Sequence, residues 1–140
     1  TSTMDPKYLE DGVALIQRYS KEPGIHIVSK YDNFLPFLAG RYSKMPYFEV
    51  SKFLASPRET AACVERIILD KPEVLFVDTD ISRDFTTDIV HQHSPFAGFH
   101  YLSRYHVAKM RMMQKVFEAV QDDYELIEKG LLISVYRRKQ

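Results

Sequence analysis

The stretch Pro72–Asp84, PEVLFVDTDISRD, decides how the rest of the chain is read. Val74, Leu75, Phe76 and Val77 are four consecutive apolar residues bounded by Glu73 and Asp78. Such a run marks a short strand covered on both faces, the central-strand pattern of a parallel sheet. The run ends on Asp78-Thr79-Asp80, two carboxylates one residue apart. Two carboxylates on one strand lip can hold a hard divalent cation, Mg²⁺ or Mn²⁺, which in turn holds phosphate oxygens. The plainer alternative is that aspartates close a strand and start the next turn, as they commonly do.

Outward from that strand, the local signals are those of alternating elements. Ser56-Pro57-Arg58-Glu59 has the form of a capping box with proline in the first turn. Thr60, Val64, Ile67 and Ile68 continue it at helical spacing as far as Lys71-Pro72. Further upstream, Asp5-Pro6 with Leu9, Val13 and Ile16 predicts an amphipathic helix ending near Pro23-Gly24. GIHIVSKYD reads as a strand, FLPFLAG as a short helix capped by Asn33 and stopped by Gly40, and MPYFEV as another short strand. Downstream, the polar stretch through HQHSPFAGFH reads as loop, followed by a helix from Leu102 to Gln121 with Leu102, His106, Met110, Met113, Phe117 and Val120 on one face. YELIE and LLISVYRR, joined through Lys129-Gly130, read as a hairpin. The expected fold class is α/β: a Rossmann-like three-layer sandwich with a mostly parallel sheet and a C-terminal antiparallel β-hairpin.

The 140 residues fit a single α/β domain over 1–140, large enough to bury roughly two thirds of its unfolded surface. Lysine plus arginine and aspartate plus glutamate number 19 each, so no global field draws the chain to nucleic acid, and no nucleic-acid partner is expected. The one cysteine, Cys63, lies in the helical pattern AACVERII and reads as a small buried apolar residue. No apolar run reaches the ~18 residues that span a bilayer. The chain opens on Thr1-Ser2-Thr3 rather than methionine, which reads as either a processed product or a piece cut from something longer, with residues 1–3 fitting a cloning remnant.

In open α/β sheets ligands sit at the carboxyl ends of the strands. That rule selects two loops, SKYDN and DTDISRD. If their strands are neighbours, Tyr31, Asp32 and Asn33 face Asp78 and Asp80 across one crevice. VLFVDTDI resembles the Asp-x-Asp motif of nucleotide-sugar glycosyltransferases, which would make Asp78 and Asp80 metal ligands. Asp78, Asp80 and Ser82 also fall at the spacing of the haloacid-dehalogenase-like phosphatases, whose first carboxylate accepts a phosphoryl group and whose second is a general acid. Neither pattern is complete. The phosphatase pattern also needs a downstream lysine and an acidic pair at a strand end, whereas Lys109 and Asp122-Asp123 lie on and just after a helix. The glycosyltransferase pattern needs a nucleotide-binding unit upstream, where one clear strand stands.

Other chemistry-bearing groups are thinner. His91, His93 and His100 offer imidazoles of the kind that ligate zinc or copper, weighed against ordinary loop histidines. His106, on the long helix's apolar stripe, reads as a hydrogen-bonded core residue. Nine tyrosines and nine phenylalanines suit either core packing or an aromatic groove. Gly-x-Gly-x-x-Gly and the phosphate-binding Gly-Lys-Ser/Thr loop are both absent from the sequence.

Three stretches, YDNFLPFLAGRYS, KPEVLFVDTDISRD and YELIEKGLLISVYRRK, together resemble the water-soluble domain that follows the membrane helices in polytopic glycosyltransferase-like proteins of the protein-mannosyltransferase and lipid A aminoarabinose-transferase class. The resemblance implies a non-catalytic accessory domain, membrane-associated on the extracytoplasmic (periplasmic) side, with a cytoplasmic placement left open. It implies as partners the membrane-embedded part of the same polypeptide and a sugar or lipid-linked substrate. In that class the catalytic carboxylates belong to the membrane half, so none is carried onto this chain. Two readings compete with it: a small metal-dependent enzyme acting on a phosphate or nucleotide-sugar substrate through Asp78 and Asp80, and a protein-interaction module built on the aromatic segments.

Overall fold

The computed structural model describes residues 5–46, 57–82 and 97–140, with backbone alone over 97–107. In chain order the elements are α1 (Pro6–Tyr19), β1 (Gly24–Ile25), β2 (Ile27–Val28), α2 (Leu35–Leu38), β3 (Tyr42–Ser43), α3 (Pro57–Asp70), β4 (Val74–Asp78), α4 (Ala97–Val120), a 3₁₀ turn (Gln121–Asp123), β5 (Tyr124–Glu128) and β6 (Ile133–Arg138).

The main sheet has four strands in the order β2-β4-β6-β5, and β1 with β3 forms a separate two-stranded sheet. Only β2–β4 is parallel in the main sheet; β4–β6 and β5–β6 are antiparallel. The expected mostly parallel, Rossmann-like sheet is therefore wrong: the sheet is mixed. The cause is that β6 takes the edge of β4 opposite β2 and runs against it. All five residues of β4 pair with β6, from Val74↔Arg137 to Asp78↔Ile133, whereas β2 supplies only Ile27 and Val28. The C-terminal hairpin thus takes the flank of β4 where a third parallel strand was expected. A second correction concerns GIHIVSKYD. It is split at His26 into two short strands that pair with different partners, Gly24 and Ile25 with β3 and Ile27 and Val28 with β4.

The helices cover both faces of β4, as its unbroken apolar run requires. On one face Leu75 and Val77 meet Ile67 of α3 and Met110, Met113, Val116 and Phe117 of α4. On the other, Phe76 packs with Leu15 and Ile16 of α1, Leu35 of α2, and Ile133 and Val135 of β6. Cys63 is buried in the first cluster, and burial pushes its thiol up to about 11, so it behaves as the small apolar residue its helix position suggested.

Three boundaries differ from the sequence reading. Asp5 does cap α1, its side chain accepting from the Lys7 amide at 3.0 Å, but the helix ends at Tyr19 rather than at Pro23-Gly24. The N-cap of α2 is Phe34 rather than Asn33, with no side-chain cap bond; Tyr31 carbonyl accepts from Leu35 N–H instead. The long helix begins at Ala97, so the end of the predicted loop, Ala97–His100, is helical; Gly98 hid the periodicity that Phe99 and Leu102 continue. His91, His93, Ser56 and all but the first two residues of MPYFEV lie outside the described residues, as do the side chains of His100 and His106.

Candidate functional site

The parallel pairing of β2 and β4 brings the two loops singled out in the sequence side by side. Asp78, the last residue of β4, is 1% exposed. Its Oδ2 accepts from Ser29 Oγ at 3.2 Å and from the Lys30 amide at 3.3 Å, and its Oδ1 accepts from the Asp80 amide at 3.2 Å. A carboxylate has about four acceptor positions, so its own chain engages most of them. Burial pushes the Asp78 carboxyl above the usual range, opposed by the Lys30 charge and by these donors.

Thr79, the middle residue of the motif, is bound as firmly. Its amide donates to Leu132 carbonyl at 2.9 Å, and its hydroxyl lies 2.9 Å from both Gly130 carbonyl and Ser134 Oγ. The Gly130 amide donates to Ser134 Oγ at 3.3 Å, and the Leu131 amide donates to Asp11 of α1 at 2.8 Å. The hairpin loop, β4 and α1 are therefore tied at one point. A side chain at Gly130 would overlap Ile133 carbonyl and Leu15, so glycine is what lets the loop close this tightly. Asp80 alone of the three motif residues is exposed.

The other predicted residues divide. Tyr31 faces the motif: burial, then Asp78 and Asp80, push its phenol up to about 12, and its ring meets Phe34 edge-on at 5.8 Å. Asp32 does not join the aspartates. It is 8% exposed and pairs at 2.8 Å with Lys109 of α4. Burial raises its pKa, and Lys109 opposes the rise. Asn33 is exposed. Among the described residues, no group of three or more His, Cys, Asp or Glu side chains is placed to hold a metal ion.

An open cleft of about 650 Å³ lies at the opposite, amino end of the β2–β4 pair, lined among others by His26, Lys44, Asp70, Lys71, Glu73 and Arg137. None of these was singled out from the sequence. The signal was there in part: His26 stands between Ile25 and Ile27, a polar group in an apolar strand. It is buried, with Nε2 2.7 Å from Asp70 Oδ2. Burial pushes its pKa down, Asp70 opposes this, and Lys44 and Arg66 add to it, so at neutral pH an uncharged ring donates Nε2–H to Asp70. The same bond holds the Asp70 carboxyl below its usual range. Lys71 ends α3 at φ 47°, its amide donating to Ile67 carbonyl at 2.9 Å, a left-handed helix end where glycine is usual. The cleft borders the carboxyl ends of α1 and α3, whose carbonyls carry partial negative charge, so its lysines and arginines complement those ends.

No family model, curated protein or solved structure matches the chain. The class the geometry defines is a mixed α/β domain whose strand-end aspartate motif is tied into the fold.

Proposed function

We propose that the chain is a non-catalytic accessory domain of a polytopic membrane glycosyltransferase-like protein, lying on its extracytoplasmic side and contributing stability or acceptor contacts. The resemblance of YDNFLPFLAGRYS, KPEVLFVDTDISRD and YELIEKGLLISVYRRK to the water-soluble domains of that class supports the setting. The non-catalytic part rests on one observation, the engagement of Asp78. A metal ligand or phosphoryl acceptor needs oxygen lone pairs open to its partner, and here three donors from Ser29, Lys30 and Asp80 occupy a carboxylate buried to 1% exposure.

All three resembling stretches contribute to one core cluster, through Leu35 and Ala39, through Phe76, and through Ile133 and Val135. YDNFLPFLAGRYS leaves β2, KPEVLFVDTDISRD contains β4, and the closing stretch is the β5–β6 hairpin whose loop binds Thr79. A likeness carried by mutually packed segments is what a shared scaffold would produce. Among the described residues no helix is long and apolar enough to cross a membrane. Reading the gene on either side of this segment tests the proposal. Several apolar runs of about 20 residues encoded in the same frame are the expected result. A gene encoding none overturns it.

A further inference from the structure

We infer that the hook formed by α2 and β3 is a docking surface for the interfacial zone of an anionic lipid bilayer, entered by Phe37, Leu38 and Tyr42. The inference rests on the membrane-side reading above for its setting, while its observations come from the surface itself. Phe37 is 79% exposed, Leu38 49% and Tyr42 57%. Large exposed apolar side chains also occur on α3, as Ile68 and Leu69, and singly at Leu126 and Leu131. Among these described residues, only the hook places aromatic rings in water.

The display is built into the fold. Leu35 and Ala39 of the same hook are buried in the core, with Leu35 packed on Gly12 of α1. Gly40, at φ 71°, turns the chain sharply after α2. The Arg41 guanidinium then donates to Ser20 Oγ at 2.9 Å and to the carbonyls of Ser20, Ala39 and Gly40. Tyr42 and Lys44 amides donate to Pro23 and Ile25 carbonyls at 2.9 and 2.8 Å. With the inner residues held this way, Phe37, Leu38 and Tyr42 stay on the exposed side of the hook.

Charge selects the occupant. From Asn33 to Phe48 the chain carries Arg41 and Lys44 and no acidic residue. Among the described residues Arg41 donates only to neutral oxygens, and no carboxylate there pairs with its charge. Lys44 is exposed and shares its field with Asp70 across the cleft. Aromatic and aliphatic side chains flanked by cations are the pattern that settles at the headgroup level of anionic membranes. A second copy fits poorly: in a two-fold dimer through this patch each Arg41 would approach its own image.

The sequence contains no tryptophan, so Phe37→Trp, Tyr42→Trp and, on α3, Leu69→Trp each introduce a single reporter at an exposed site. Each variant is tethered through a terminal polyhistidine tag to phosphatidylcholine vesicles bearing a nickel-chelating lipid, with and without phosphatidylglycerol. The expected result is a blue-shifted emission quenched by brominated acyl chains for Trp at 37 and 42, stronger with phosphatidylglycerol, and unchanged emission for Trp at 69. Without the tether, Phe37→Ser combined with Leu38→Ser should lower partitioning to the anionic vesicles by about tenfold. Reporters at 37 and 42 that stay in water on tethered vesicles overturn the inference. So does quenching at 69 in their place, or a lipid-independent blue shift accompanied by a dimer in light scattering. The gene test above separates the two ideas: membrane spans with a dry hook sink only the docking surface, and a lipid-bound hook without spans sinks only the accessory-domain reading.

Discussion

The two ends of the β2–β4 pair are a few residues apart in sequence and opposite in character. At the carboxyl end, Asp78 and Thr79 bind the β2 exit loop and the hairpin loop, which closes that end with the chain's own groups. At the amino end, the same strands begin beside an open cleft of about 650 Å³. In a doubly wound parallel sheet the open end is the carboxyl end, because every strand points its loop there. Here β6 runs against β4, so the loop that precedes β6 arrives at the carboxyl end of β4 and fills it. One reversed strand is enough to exchange the closed and open ends, and a rule about sites carries over only with the strand directions on which it was built.

The sharpest way to break the closed end is Gly130→Ala. The added methyl meets Ile133 carbonyl, which is backbone and cannot swing aside, so a loss of about 3 kcal/mol is expected in denaturant titration. Asp78→Ala comes next: it leaves the Ser29 hydroxyl and the Lys30 and Asp80 amides without their acceptor, at a cost of about 2 kcal/mol. Asp78→Asn keeps an acceptor oxygen and removes a desolvated charge, so its expected cost is under about 1 kcal/mol. Equal damage from both substitutions would mean that the charge matters more than the hydrogen bonds.

The two ends should also answer acid in opposite directions. Burial lowers the His26 pKa from 6.5, so the unfolded chain takes up that proton first. The stability it supplies is present above 6.5 and is lost as pH falls from there to its depressed folded value. Burial raises Asp78 and Asp32 above 3.8, so the folded chain takes up those protons first, and stability returns as pH falls through their folded values toward 3.8. Melting temperature against pH for wild type and His26→Gln checks this: the variant should lose the slope just below 6.5 and keep the one nearer 3.8. The smallest effect is a gain. Lys71→Gly relieves a left-handed lysine and should raise stability by about 0.5–1 kcal/mol, seen as a melting temperature about 2–4 °C higher.

Much of the local structure could be read from residue pattern alone. α1 announces itself by its cap and periodicity, α3 by its periodicity, and β4 by its unbroken apolar run, because those signals depend on near neighbours. Strand direction leaves no such mark: ISVYRR pairs equally well with a neighbour running either way, and its antiparallel place on the edge of β4 opposite β2 is a long-range pairing that no local pattern encodes. The site divides along the same line. Tyr31, Asp78 and Asp80 could be placed near one another from strand ends, but the turn of Asp32 toward Lys109 depends on where α4 packs, 77 residues away. The His26–Asp70 pair spans 44 residues from the break between β1 and β2 to the end of α3, a meeting that no local pattern encodes.

The central claim, that Asp-Thr-Asp fastens the fold instead of holding a metal, is tested most directly by calorimetric titration. Mg²⁺ and Mn²⁺, with and without a nucleoside diphosphate, are titrated into the wild-type chain and into Asp80→Asn. The account predicts no binding heat in either protein and the same melting temperature for both. Binding to the wild type that disappears in Asp80→Asn would contradict it and restore the metal-dependent enzyme reading.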